Sequence, residues 1–463
     1  MTKALIESIS GIRGIFGTGL TPQRVVNYAS AFGEWVDGNR IVVCRDSRPT
    51  GVVIRQLVLS TLRSMGIEVC DIGIAPTPTA QLMTEELDAD GGIIITASHN
   101  PEEWNGLKFV SADGLFLNEK QIREVFDVLA GGEFKCTTWD NIGELREVHG
   151  AIDEHIESIL DLSLVRPRAI AEREFKVVVD AVNGAGSVAL PALLEALGCK
   201  VIPVNCVPNG IFPHNPEPRP EHLGQLCDMV RKHKADLGIV VDPDADRCGL
   251  VDAGGNYLVE EYTLAIAVDT VLHYFREEEP ELLSNPVVTN LSTTLAIEKV
   301  AEKYGVEVER TPVGEINVAE HMAQRDAAIG GEGNGGVILA ESHLGRDSLV
   351  AATLVLQRLT DTGESLQDLF KNLPQFVMSK QKITLGDTDP DALLEKVLAD
   401  PPEAEIDTQD GVKFTWSDRW VHLRKSNTEP IIRVYAEAAT AEQADALAQE
   451  YLQQLTQLSD GKI

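Results

Sequence analysis

The residues best suited to chemistry lie in four short stretches of small and charged side chains. Asp242-Pro-Asp244-Ala-Asp246-Arg247 sets three carboxylates on alternate residues. Hard oxygen ligands at that spacing suit Mg2+ or Ca2+. An EF-hand is excluded, because its sixth position needs glycine and holds Arg247, and its twelfth needs glutamate and holds Ala253. Three carboxylates leave open positions on an octahedral ion, which a phosphate oxygen and waters can fill. A second stretch, Thr96-Ala-Ser98-His99-Asn100-Pro101, presents a hydroxyl at a polar turn. Ser98 is expected to carry a phosphate. As neighbours, Ser98 and His99 are expected to leave the turn in different directions, so the pair is not read as part of a triad. Lys108, the nearest cation after it, suits proton donation or acceptance.

The other two stretches read as binding loops. Glu332-Gly-Asn334-Gly-Gly336 fits neither a Walker loop nor a dinucleotide fingerprint. No Lys-Ser/Thr follows it, and its glutamate repels phosphate. Glu332 and Asn334, flanked by glycines, suit hydrogen bonds to sugar hydroxyls instead. Arg424-Lys-Ser426-Asn427-Thr428-Glu-Pro430, with Arg433 beyond, combines arginines, hydroxyls and loop amides as a phosphate cradle.

These loops need rigid elements behind them, and the chain supplies a repeated one. Gly91-Gly-Ile-Ile-Ile is a run suited to a strand buried on both faces. Before it come a helix opened by Thr21 and Pro22, a strand over 40–46 and a helix over 51–65 closed by Gly66. The same grammar recurs with strands over 175–180 and 235–242 and a helix capped by Ser187. It recurs again with a strand over 286–290, a helix over 292–304 and a strand over 306–310. Three copies of one α/β unit are expected. The tail differs: 412–416, 420–424 and 431–437 alternate as one-sided antiparallel strands. Thr440 and Gln443 then form a capping box for a last helix. The expected domains are 1–150, 151–255, 256–370 and an α+β unit over 371–463, closely packed because no low-complexity linker separates them.

Composition narrows the class. At 463 residues the chain exceeds one core, and its 43% hydrophobic content is ordinary for a globular protein. A net charge of −32 argues against nucleic acid and anionic membrane as partners. It fits an acidic, highly soluble surface of the kind salt adaptation favours. An anionic substrate then needs the chain's cations gathered at its site, which the Arg424 stretch does. No apolar run approaches the roughly 18–20 residues of a membrane span, and the first residues lack a signal-peptide core. Seven scattered cysteines without CxxC pairs read as reduced thiols of a cytoplasmic protein.

Taken in order, the four stretches resemble the α-D-phosphohexomutase superfamily. The resemblance rests on residues 96–101, 242–247, 331–336 and 424–430, with Gly11-Ile-Arg-Gly14 near the start, and covers essentially the whole chain. It implies three α/β domains with mixed sheets and a C-terminal α+β domain, arranged as a heart with a central cleft. It implies a phosphoserine at Ser98 and Mg2+ held by Asp242, Asp244, Asp246 and that phosphate. It also implies a hexose phosphate substrate, a hexose 1,6-bisphosphate intermediate and activator, and a monomer or dimer. Arg13, Lys108, Arg247 and the metal are expected to surround the moving charge, with Lys108 or His99 exchanging the hydroxyl proton. The Arg424–Thr428 stretch and Arg433 are expected to hold the other phosphate. Phosphomannomutase/phosphoglucomutase members commonly read Glu-x-Ser-Gly-His in the sugar loop, whereas Asn334 and Gly336 stand here for the serine and histidine. The form present is closer to archaeal-type phosphoglucosamine mutases, so glucosamine phosphate is favoured over glucose or mannose phosphate. A bisphosphate synthase on the same scaffold and a non-catalytic sugar-phosphate binder are the rival readings.

Overall fold

The structure is a computed structural model that describes residues 5–385, 388–426 and 431–459. Each of the first three units is built on a mixed sheet and the last on an antiparallel one, in agreement with the expected class. In the first unit, the Gly91–Ile95 strand runs parallel to Arg40–Arg45 on one side and antiparallel to Trp104–Ser111 on the other. Its isoleucines divide between two cores, Ile93 and Ile95 into one and Ile94 into the other, as a strand buried on both faces requires.

The second and third sheets repeat that arrangement. Leu237–Val241 pairs parallel with Lys176–Asp180 and antiparallel with Cys248–Asp252. Ile329–Glu332 pairs parallel with Val287–Asn290 and antiparallel with Gly336–Leu339. In each unit a buried strand thus delivers a loop and the next strand returns beside it. The serine, aspartate and glycine-rich loops are all hairpin tips, a return that hydrophobic patterning alone did not reveal. The return strand also places Lys108, opposite Ile94. Gly11–Ile15 adds beyond it, with Arg13 opposite Gly106.

Two expected helix starts are corrected. The second-unit helix is Gly186–Ala196, so Ser187 lies inside its first turn and its buried hydroxyl finds no partner among the described residues. The third-unit helix is only Ala296–Glu302. Asn290 Oδ1 takes the Ser292 N–H at 2.8 Å and the Thr293 hydroxyl at 3.1 Å, and this local turn competes with the helix. Thr21 does cap Pro22–Val36 through the Arg24 N–H. Thr440 Oγ1 likewise accepts from the Gln443 N–H at the last helix, Ala441–Ser459.

The second and third units share one continuous apolar core, to which the Glu261–Glu278 and Ser348–Thr362 helices both contribute. The last unit has its own core. Its sheet runs Val377–Thr384, Ile431–Ala438, Trp420–Lys425, Val412–Thr415, Glu405–Asp407, and the first and last of these strands were not read from sequence. Ile432, Val434 and Ala436 pack into that core, so the alternate residues Arg433, Tyr435 and Glu437 face the other way, where they line a cleft. No helix among the described residues is long and apolar enough to cross a membrane.

Candidate active site

The serine loop is held by residues the sequence reading did not single out. Arg48 is fully buried and donates to the carbonyls of Ser98 (2.6 Å), Asn100 (2.7 Å), Trp104 (3.1 Å) and Pro101. Asp46 takes the Arg48 Nε at 2.9 Å and the Thr96 hydroxyl at 2.7 Å. One buried ion pair thus fixes four carbonyls, which a loop without secondary structure needs. Ser98 adopts φ +48°, a left-handed conformation uncommon for a residue with a Cβ. The chain reverses there, and the Ser98 and His99 side chains come together instead of diverging: Oγ lies 3.2 Å from His99 Nδ1. The same hydroxyl donates to Asp242 Oδ2 at 3.2 Å, joining the first unit's loop to the second's.

Asp242, Asp244 and Asp246 are all buried, with ligand oxygens within 4.8 Å of one another. Asp242 Oδ1 accepts the backbone N–H groups of Asp246 and Arg247, which closes the loop on itself. Lys108 Nζ reaches Asp244 Oδ2 at 2.8 Å and Asp246 Oδ2 at 3.8 Å, while Thr77 donates to Asp244 at 3.0 Å. Asp244 Oδ1 and Asp246 Oδ1 are buried without a hydrogen-bond partner among the described residues. Orphaned carboxylate oxygens are costly unless something positive completes them. Three hard, converging ligands with two such oxygens fit a small divalent cation.

The charges around the triad are strongly perturbed. Burial, with Asp246 and Asp244 adding to it, holds the Asp242 carboxyl well above the usual range. Burial opposes ionisation of Asp246 too, but Arg346, Lys108 and Arg247 outweigh it and pull that carboxyl down. Burial pulls on the Lys108 ammonium, yet Asp244, Asp246 and Glu315 together raise it. His99 is depressed, first by burial and then by Arg247 and Arg13, so its imidazole is neutral. The site therefore holds a charged lysine and a neutral histidine, and the histidine is the one within reach of the serine.

Arg346 is the second residue that sequence reading missed. It donates to Asp246 Oδ2, to Glu315 Oε2 at 3.0 Å and to Glu332 Oε2 at 2.6 Å. One buried guanidinium thus ties the aspartate loop to the glycine-rich loop. A faint signal existed in Gly345-Arg-Asp347-Ser, a cation set just before an N-cap. Asp347 does cap the Ser348–Thr362 helix, accepting from Leu349 N at 2.7 Å.

The remaining expected residues surround one cleft of about 1170 Å³. Arg13, Arg247, His99, Glu332, Asn334, Arg424, Ser426 and Arg433 line it. Arg13 donates to Asn100 Oδ1 at 3.3 Å, and Arg247 approaches Asp246 at 3.7 Å with its Nε otherwise unsatisfied among the described residues. Glu332 is already engaged on both oxygens, by Asn290 at 2.7 Å and Gly314 N at 3.1 Å on one and by Arg346 on the other. Asn334 is anchored by its own loop, accepting from Gly336 N at 3.1 Å. Arg424 meets Asp410 at 2.5 Å and Arg433 reaches the Tyr435 hydroxyl at 3.1 Å. Ser426 N donates to Ile431 O at 3.0 Å; Asn427 and Thr428 lie outside the described residues.

Comparison with known proteins identifies the family. Four profiles of phosphoglucomutase/phosphomannomutase match in order: alpha/beta/alpha domain I over 6–135, domain II over 153–255, domain III over 261–376 and the C-terminal domain over 377–454. A phosphoglucomutase/phosphomannomutase of Thermococcus kodakarensis is 39% identical over 96% of both chains. A probable phosphoglucosamine mutase of Methanopyrus kandleri is 36% identical over 96% of each, and a phosphoglucosamine/phosphogalactosamine mutase of Sulfurisphaera tokodaii is 32% identical over 98% of each. Among solved structures, a family member from Burkholderia thailandensis superposes with a TM-score of 0.84 at 26% identity, covering 99% of this chain and 97% of its own. The chain belongs to the phosphoglucomutase/phosphomannomutase family of the α-D-phosphohexomutase superfamily. It is a phosphohexomutase, an isomerase of sugar phosphates.

Proposed function

We propose that the protein interconverts hexose 1-phosphate and 6-phosphate through a phosphorylated Ser98, with glucosamine phosphate as its substrate. The observation that carries this is the meeting of the four loops around one cleft, with the Ser98 hydroxyl directed at Asp242. The phosphoryl group passes from Ser98 Oγ to the free hydroxyl of the bound sugar phosphate, whose proton leaves to a neighbouring base. The resulting 1,6-bisphosphate turns over in the cleft and returns its other phosphoryl group to Ser98. Phosphoryl transfer of this kind asks for positioning and charge, with little covalent help.

Asp242, Asp244 and Asp246 are the residues to hold Mg2+, which supplies neutralisation of the transferring phosphoryl charge. A solved N-acetylphosphoglucosamine mutase of the same fold was crystallised with GlcNAc-6P and magnesium, which supports that choice. His99, with Nδ1 3.2 Å from Ser98 Oγ, and Lys108, charged beside Asp244, are the two groups suited to exchanging the hydroxyl proton. Arg13 and Arg247 face the moving phosphoryl group. Arg424, Ser426 and Arg433, with Asn427 and Thr428 of the same stretch, hold the phosphate that does not react. Asn334, oriented by its loop, meets the sugar hydroxyls, and Glu332 steadies Asn334 and Arg346 beneath it.

The preference for an amino sugar draws support from the relatives named phosphoglucosamine mutase. A second reading, glucose or mannose phosphate, is favoured by the 39% identical relative. The test supplies purified protein with Mg2+, a trace of hexose 1,6-bisphosphate as activator, and glucosamine, glucose or mannose 1-phosphate in turn. The highest kcat/KM is expected with glucosamine 1-phosphate. No 6-phosphate from any of the three overturns the reading, and accumulation of bisphosphate alone points to a synthase.

A further inference from the structure

The strand register of the last sheet lines up more positive charge than the expected cradle contains. Arg424 lies directly opposite Arg433, and on its other side Arg433 lies directly opposite Lys382 of the Val377–Thr384 strand. Residues in register on neighbouring antiparallel strands point to the same face. That face is the one turned to the cleft, and all three side chains line it. The row is therefore Lys382, Arg433, Arg424, three cations across three adjacent strands.

Like charges directly opposite each other destabilise a sheet. Among the described residues only Asp410 offsets the row, and it sits at the Arg424 end. Among the described residues Arg433 reaches only the Tyr435 hydroxyl, and its buried Nε is unsatisfied. Lys382 is exposed and makes no hydrogen bond or ion pair with a described residue. The next row along the same face differs: Lys380 is ion-paired with Glu260, and the residue opposite it is Tyr435. The repulsion is thus confined to one row, at the end of the strands where the Arg424 stretch begins.

We infer that Lys382 is a further substrate-positioning residue, the third cation on the phosphate that does not react. This rests on the mutase reading above. With a dianionic phosphate in place the row becomes attractive, each cation making a charge-assisted contact. Without it the row is strained by its own charge, so Lys382 favours the loaded form over the empty one. Strand spacing of roughly 4.8 Å sets the three stems side by side, and the long lysine stem lets the outermost cation bend inward.

The experiment compares Lys382→Gln with the parent and with Lys396→Gln, an exposed lysine on the Pro390–Leu398 helix outside the row. K382Q is expected to raise KM for hexose phosphate roughly tenfold, the loss of one charge-assisted bond, while kcat changes less than about threefold. The melting temperature of the ligand-free protein should hold or rise in K382Q, and the upward shift produced by saturating hexose 6-phosphate should shrink. K396Q should match the parent in all four quantities. A purely structural lysine would lower the ligand-free melting temperature and leave KM alone. Parent activity with an unchanged KM in K382Q overturns this inference and leaves the mutase reading intact. A parent without activity on any hexose phosphate overturns the mutase reading itself.

Discussion

The aspartate centre and the cationic row of the last sheet are two charged sites built on opposite plans. At the first, the carboxylates of Asp244, Asp246, Glu315 and Glu332 are met by Lys108 and Arg346, all of them buried. Every unit but the last contributes, and the carboxylate oxygens it leaves without a partner among the described residues, Asp244 Oδ1 and Asp246 Oδ1, converge on a site that fits a cation. At the second, Lys382, Arg433 and Arg424 stand in register with one carboxylate near them among the described residues. The first site is assembled before substrate arrives. On the reading proposed above, the second is completed by the substrate's phosphate. A reaction that moves a phosphoryl group at a fixed point, and must also release and rebind the other phosphate, is served by that division.

The comparison can be broken at its strongest point with Ser98→Ala. Turnover should fall on the order of 10³-fold or more, because the carrier oxygen is gone, while the circular dichroism spectrum stays native. Intact mass should show roughly 80 Da of extra mass in phosphorylated parent protein and none in the variant. Retained turnover would remove the serine from the reaction.

Arg346→Met tests whether the aspartate centre is structural as well as catalytic. Removing one partner of a buried ion network leaves Glu315 and Glu332 without their ion-pair partner and Asp246 with only the longer contacts to Lys108 and Arg247, a cost of about 3–5 kcal/mol. The urea midpoint should fall accordingly, with activity lost even where the protein is folded. Arg424→Ala is its counterpart in the row. Its partner Asp410 is one-fifth exposed and is resolvated on mutation, so stability should change by no more than about 1 kcal/mol. KM should rise roughly 10–100-fold. Equal destabilisation by the two substitutions would erase the distinction between the sites.

The smallest effect concerns pH, at the junction of the third and last units. Burial pushes the Glu261 carboxyl up to about 8, with Lys380 opposing and Glu260 and Glu437 adding. A carboxyl raised on folding contributes stability that is full below its ordinary pKa of about 4.5 and is lost as pH rises through about 8. Glu261→Gln should therefore match the parent at pH 4.5 and melt higher at pH 8.5, with the gap opening as pH rises from 4.5 through about 8. A constant offset between the two proteins at all pH values would assign Glu261 no titration on folding.

Much of the fold was legible because each of the first three units repeats one local grammar. A buried strand such as Gly91–Ile95 or Leu237–Val241 announces itself by an unbroken apolar run and ends in polar punctuation. The return strands were less visible. Trp104–Ser111 mixes Asn105, Gly106 and Lys108 among its apolar residues, so its pattern is that of no single-faced strand. Ser187 misled because a serine before an apolar run caps a helix only when its hydroxyl stands just ahead of the first turn's N–H groups, and here the helix already begins at Gly186; the start expected at 292 moved because the Asn290 turn takes the Ser292 N–H.

The site divides in the same way. By itself the sequence determined which residue types stand at each strand end: a serine, three spaced aspartates, a glycine-framed glutamate and asparagine, and a basic stretch. These are encoded within a few residues of one another, so local spacing carries them. Arg48 and Lys382 were invisible, and Arg346 nearly so, because their meaning lies in partners far along the chain. Arg346 meets Asp246 across 100 residues, and Arg48 meets the serine loop across 50. Single arginines and lysines carry no spacing signal. Only the tertiary structure decided that one of them would bridge two loops, another would clamp four carbonyls, and a third would stand in register with two arginines. Register and burial are properties of paired strands and packed units, and no stretch of chain possesses them alone.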